Sequence, residues 1–186
     1  MPSWSSTPDD GRVTTTRCAL GVDPGTARMG YAVIRQDGGA LVLLTCGVFE
    51  TSSSLALSER LAILYAGLLQ VIDEFRPTEV AIEDLFFNRN VRSALSVGQA
   101  RGVALLAAAH RGLAVYDYTP LHVKQSIAGF GRARKEQIQE MVRVLLGLTS
   151  IPQPDDAADA AAIAVCHLNS AAGRDLYKSL MASKDW

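Results

Sequence analysis

Cysteine, histidine and aromatic residues are scarce in this chain, and each shortage narrows what it can do. The three cysteines, Cys18, Cys46 and Cys166, are odd in number, widely spaced and form no CxxC pair, which argues against a disulfide framework and a structural zinc site. They read as small buried apolar residues. Histidine is limited to His110, His122 and His167, so any metal site here would favour a hard, oxygen-ligated ion over zinc. No apolar run reaches the ~18 to 20 residues of a membrane span. The first sixteen residues, MPSWSSTPDDGRVTTT, hold no continuous apolar segment of signal-peptide type. A cytoplasmic protein with no membrane partner is the expectation.

What is present is an ordinary globular balance. Hydrophobic residues at 48% and charged residues at 20% of a 186-residue chain suffice for one full core and exclude wholesale disorder. The net charge of -1 hides an asymmetry. Between residues 89 and 143 lie nine basic residues, Arg89, Arg92, Arg101, Arg111, Lys124, Arg132, Arg134, Lys135 and Arg143, against the acids Asp117, Glu136 and Glu140. That segment carries +6 and the remainder -7. A polyanion answers to a local basic face rather than to the total, so nucleic-acid binding stays open beside the plainer reading of solvated helix faces.

Residues 1–16 have nothing periodic to pack and read as a flexible tail. From Cys18 the pattern is CALGVD, a PGTARM turn, GYAVIRQ, a Gly38-Gly39 turn and ALVLLTCGVF, an antiparallel meander of three strands. Residues 58–75 place Leu61, Leu64, Tyr65, Leu68, Leu69 and Ile72 at helical spacing before Pro77. VAIED at 80–84 has strand length and can add parallel to the first strand by a helical crossover. A polar and aromatic loop, LFFNRN, leads to a helix from Val91 to His110. The strand AVYDY, a short helix from Pro120 to Gly129, the amphipathic KEQIQEMVRVLLG and the helix DDAADAAAIAVCHLN follow. The order predicts an α/β fold with a five-stranded mixed sheet, an antiparallel edge and helices on both faces. The domain is expected to span 17–170, followed by a tail at 171–186.

Four acids stand where acids are locally costly. Asp23 ends the first strand and Glu83 the fourth; neighbouring parallel strands would end side by side. Asp156 and Asp159, three apart, share one face of the last helix. Carboxylates gathered in one pocket repel, and a divalent cation such as magnesium or manganese relieves the repulsion. Each acid also has an ordinary reading: Asp23 as a turn residue before Pro24-Gly25, Asp155 and Asp156 as helix-start residues. Glu83 is harder to dismiss, because it follows Val-Ala-Ile and precedes Leu85, Phe86 and Phe87.

Five ordered segments, GVDPGTARMGYAVI at 21–34, VAIEDLFFNRN at 80–90, SALSVGQARGVAL at 93–105, VKQSIAGFGRARKEQI at 123–138 and DDAADAAAIA at 155–164, resemble the RuvC family of Holliday junction resolvases. The resemblance implies a ribonuclease H-like fold, a homodimer and metal-dependent cutting of two strands of a four-way DNA junction, in homologous recombination and repair. It places the family's four catalytic, metal-holding acids on Asp23, Glu83, Asp156 and Asp159, with two Mg²⁺ ions per site and Mn²⁺ as a substitute. Lys124 and Lys135 match basic residues at the scissile phosphate, Lys135 also stabilising transition-state charge. Phe86 matches an aromatic set against bases at the junction centre, and Arg89, Arg92, Arg132 and Arg134 are suited to phosphates. RuvA and RuvB, the branch-migration machinery, are the implied partners.

Small residues Ala94, Gly98, Gly102 and Ala108 allow either a close helix partner or a buried central helix; the resemblance favours the dimer. Two departures stand out: extra acids, Asp84 beside Glu83 and Asp155 beside Asp156, and a tail before residue 17 that lacks a counterpart in the family. GVDPGTARMGYAV also resembles the phosphate loop of actin-like ATPases, but nothing in the second half of the chain repeats the first as their two lobes require. A junction-binding scaffold without chemistry would leave four acids unexplained.

Overall fold

The computed structural model describes residues 16–84 and 91–182, the side chains of 91–93 and 171–182 excepted. In chain order the elements are β1 (Arg17–Asp23), β2 (Arg28–Asp37), β3 (Ala40–Glu50), α1 (Leu57–Phe75), β4 (Glu79–Glu83), α2 (Val91–His110), β5 (Ala114–Tyr118), α3 (Pro120–Ala128), α4 (Lys135–Leu145) and α5 (Asp155–Ala182). The described strands form one sheet in the order β3-β2-β1-β4-β5. β1, β2 and β3 pair antiparallel, whereas β4 joins β1 and β5 joins β4 in parallel. This is the predicted five-stranded mixed sheet of an α/β, ribonuclease H-like fold.

Alternation along β1 assigns the two faces. Cys18, Leu20 and Val22 enter a core with Leu64, Leu68 and Ile72 of α1 and Ala100, Ala104, Ala107 and Ala108 of α2. Ala19 points the other way, into a core with Val123 and Ile127 of α3, Ile138 and Val142 of α4 and the alanine-rich face of α5. Helices therefore cover both faces, as expected. Cys18 and Cys166 are buried, whereas Cys46, expected inside, is half-buried.

Local chemistry sets the element ends. Arg76 adopts a left-handed conformation (φ 49°) at the end of α1, just before Pro77. Thr119 caps α3 by accepting from the His122 amide at 3.2 Å, Pro120 fills the first helical position, and Gly129 closes it at φ 81°. One boundary differs from expectation. α5 runs to Ala182, twelve residues past 170, because AAGRDLYKSLMA contains helix formers and no proline to stop the turn. Among the described residues no helix is long and apolar enough to cross a membrane.

The first turns of α5 sit unusually close to the sheet. A Cβ at Gly21 would lie 2.1 Å from the Ala160 carbonyl oxygen, and one at Gly30 would lie 2.0 Å from that of Asp156. Gly30 is the cross-strand partner of Asp23. Two missing side chains thus let the start of α5 settle onto the end of β1. Further along, His167 of α5 is fully buried, with Nδ1 2.8 Å from the Tyr118 hydroxyl and Nε2 2.6 Å from Glu79, which in turn accepts from Arg17. One neutral tautomer satisfies both ring nitrogens: Nε2–H donates to the carboxylate and Nδ1 accepts from the tyrosine.

Candidate active site

The parallel register of β1 and β4 brings Asp23 and Glu83 to the same edge of the sheet, where their carboxyls share a hydrogen bond. Asp156 and Asp159 arrive from the first turns of α5, where the positive helix end favours carboxylates. Burial, with the negative charges of Glu83, Asp159 and Asp156, pushes the Asp23 carboxyl from 3.8 up to about 8. Glu83 is raised by burial and by Asp159, against the pull of Asp23, Lys124 and Lys135. Asp159 is raised by burial too, in spite of its bond to Lys135. The structure thus gathers the four predicted acids into one strained negative cluster.

A cleft of about 270 Å³ opens beside them, lined by Glu83, Asp159, Lys124 and Lys135 over a floor of Val123, Ile138, Ala162 and Ile163. Lys135, the first residue of α4, donates to Asp159 Oδ2 at 2.8 Å and lies 3.4 Å from Asp155. Burial works to lower its ammonium, and the Asp159 and Asp155 carboxylates more than reverse that. Asp155 is therefore turned outward onto the lysine. Asp84 is exposed, and its backbone amide continues the β4–β5 ladder to the Tyr118 carbonyl at 2.9 Å.

The basic residues sort themselves by partner. Arg101 is bound to Asp117 at 2.6 Å, Arg111 to Asp73 at 2.6 Å and Arg143 to Glu140 at 2.6 Å, so these three side chains are committed to carboxylates. Arg132 and Arg134 are exposed on the α3–α4 connection next to the cleft. Phe86 and Arg89, and the side chain of Arg92, lie outside the described residues. In α2, Ala108 of the small-residue stripe is buried in the chain's own core, whereas Gly102 faces open space between exposed Leu95 and Leu106.

Sequence spacing missed one charged neighbour. Arg28 opens β2, and its Nε stands 3.2 Å from Asp156 and 3.4 Å from Glu50. Its place became legible only with the hairpin register that sets it opposite Glu50.

The donor set fits a divalent metal by its chemistry. It is all carboxylate, every influence on Asp23 raises it, and at Glu83 the charges of Lys124 and Lys135 offset burial only in part. The side chains stand open, however: among the described residues no three acidic, histidine or cysteine side chains are drawn together as an ion cage.

Comparison with known proteins identifies the family. Residues 19–167 match the family model described as "Crossover junction endodeoxyribonuclease RuvC". A protein of that description from Roseiflexus sp. (strain RS-1) is 54% identical over 159 residues, covering 86% of this chain and 94% of the relative. One from Desulfitobacterium hafniense (strain DCB-2) is 57% identical over 151 residues, covering 81% and 92%. The solved structure of Thermus thermophilus RuvC in complex with Holliday junction substrate superposes with a TM-score of 0.80 at 40% identity, covering 83% of this chain and 94% of that one. With a family model that spans most of the chain and relatives above half identity, the chain belongs to the RuvC family of crossover junction endodeoxyribonucleases.

Proposed function

We propose that this chain resolves four-way (Holliday) DNA junctions by paired, symmetric nicks, hydrolysing phosphodiesters in homologous recombination and repair. The observation that carries the reading is the cluster of Asp23, Glu83, Asp156 and Asp159, with Asp23 raised to about 8. A carboxyl so placed stays protonated near neutrality unless a cation arrives. Asp23, Glu83, Asp156 and Asp159 would hold two Mg²⁺ ions, with Mn²⁺ as a substitute. Bound ions of this kind supply Lewis acidity to phosphoryl oxygens and activate water.

The remaining roles belong to the chain itself. Lys124 and Lys135 bring positive charge to the cleft, and Lys135, braced by Asp159 and Asp155, is set to stabilise charge that grows on the phosphate. Arg132 and Arg134 extend that basic surface to flanking phosphates, joined in this reading by Arg89 and Arg92. Such contacts give affinity that falls with salt and carries no base readout. Phe86 is assigned to the junction centre, where unstacked bases offer ring faces. The reading requires no covalent enzyme intermediate.

A homodimer accounts for paired nicks, since a twofold pair of identical sites matches a junction of near twofold symmetry. The exposed Leu95, Gly102 and Leu106 of α2 offer an apolar surface for it. We extend the reading to a cytoplasmic protein, to RuvA and RuvB as partners and to a nuclease unit of 17–170, with α5 carrying the chain on from it to Ala182.

A labelled synthetic junction and its separate duplex arms, incubated with Mg²⁺, Mn²⁺ or chelator, test the proposal beside the Asp23→Asn variant. Paired nicks in the junction alone, lost with chelator and in the variant, are expected. Cutting of linear duplex at the same rate, or cutting that survives chelation, would overturn it.

A further inference from the structure

Both helix acids of the cluster are already held by protein cations. Lys135 takes Asp159 on one side, and Arg28 takes Asp156 on the other. The second contact is built by the backbone: Gly30, two residues on along the same face of β2, admits the start of α5 so closely that Arg28 and Asp156 must meet. Glu50, opposite Arg28 in the neighbouring strand, steadies the guanidinium from outside at 3.4 Å. The open stance of the acids then has a physical cause, since one oxygen of Asp156 is drawn toward arginine.

We propose that Arg28 is an internal counter-cation for Asp156, which it occupies in the DNA-free protein and releases when its guanidinium transfers to a backbone phosphate of the bound junction. The inference rests on the metal and junction reading above. Arg28 is suited to the exchange because its side chain is 46% exposed and a guanidinium pairs with phosphate as readily as with carboxylate. An exposed ion pair is also weak enough to be exchanged. Arg28 is thus a positioning residue that links substrate binding to the availability of a metal ligand, and metal loading in the free protein is held down until DNA arrives.

Mn²⁺ binding to the DNA-free protein, read from the electron paramagnetic resonance signal of the unbound ion, tests this directly. Removing a unit charge from a half-exposed site is expected to tighten Mn²⁺ binding about threefold to tenfold in Arg28→Gln, with Arg28→Lys restored toward the parent value. A second arm follows junction affinity against salt in chelator, where Arg28→Gln is expected to lose about one from the slope. Unchanged Mn²⁺ affinity in Arg28→Gln overturns the counter-cation role, and an unchanged salt slope overturns the transfer to phosphate. Asp23→Asn separates this failure from that of the site itself: if it leaves Mn²⁺ binding intact, the metal reading falls first.

Discussion

Withdrawing divalent metal should make the protein less stable as pH rises, opposite to the behaviour of an ordinary salt-bridged carboxylate. Burial and the neighbouring carboxylates push Asp23 from its ordinary 3.8 up to about 8 in the fold, so the folded state binds the extra proton throughout that window. Its contribution is fully present below 3.8 and is lost as pH climbs through about 8. Each pH unit between these values costs about 1.4 kcal/mol, about 5 to 6 kcal/mol in all. The part above about pH 5 is about 4 kcal/mol, and water entry and relaxation of the Asp23–Glu83 pair reduce it to about half, which for a chain of this length lowers the melting temperature by about 4 to 8 °C. Differential scanning calorimetry in chelator, from about pH 5 to about pH 8.5, would read it, with saturating Mg²⁺ removing the slope by mass action. Asp23→Asn, the neutral isostere, should melt higher than the parent at alkaline pH and match it at acid pH. A metal-free parent whose melting temperature is flat across the range, or a variant that falls as steeply, would refute the reasoning.

Three further outcomes follow from individual contacts. Gly21→Ala forces a methyl group to within 2.1 Å of the Ala160 carbonyl, so urea titration should show a loss of about 3 kcal/mol or more as α5 is pushed off the sheet. Lys135→Ala should lower single-turnover cleavage about 10²- to 10³-fold, the range for losing one preorganised charge-stabilising donor, while junction binding in chelator changes far less. Arg132→Ala and Arg134→Ala should each remove about one from the salt slope of junction binding, whereas Arg101→Ala, whose guanidinium is committed to Asp117, should leave the slope unchanged.

The strand-end acids were legible for a reason that the register explains. The length and composition of VAIED at 80–84 mark a strand that a helical crossover can set parallel to CALGVD, and the pairing of Val22 with Ile82 then carries Asp23 and Glu83 to one edge. The spacing of three did the same for Asp156 and Asp159, setting both on one face of the last helix. What spacing could not supply were contacts that depend on tertiary closeness. The pairing of Arg101, Arg111 and Arg143 decides which cations stay available: Asp117 and Glu140 are already counted in the +6, so only Asp73, from outside the run, lowers it, to +5. Three of the nine basic side chains are nonetheless committed to carboxylates away from the cleft. The contact of Arg28 with Asp156 joins residues far apart in the chain, and the extra turns of α5 past 170 carry no apolar pattern strong enough to announce them.

The same closeness explains why small residues and costly acids occur together in this chain. Gly21 and Gly30 flank Asp23 along the hairpin, and Ala157, Ala158, Ala160 and Ala161 surround Asp156 and Asp159 along α5. Larger side chains at those positions would hold the helix away and leave Asp23 open to water. Packing without side-chain volume instead brings backbone onto backbone, removes solvent from between the acids and raises Asp23 through burial before any neighbour acts. The charge repulsion is therefore a consequence of the glycines and alanines. A substitution such as Gly30→Ala, far milder in charge terms than any change to an acid, should lift the start of α5 from β1 and weaken Mn²⁺ binding along with stability, because separating Asp156 and Asp159 from Asp23 and Glu83 costs more than freeing Asp156 from Arg28 returns. Retained parent-like Mn²⁺ affinity in a folded Gly30→Ala protein would show that the acids gather without the close helix.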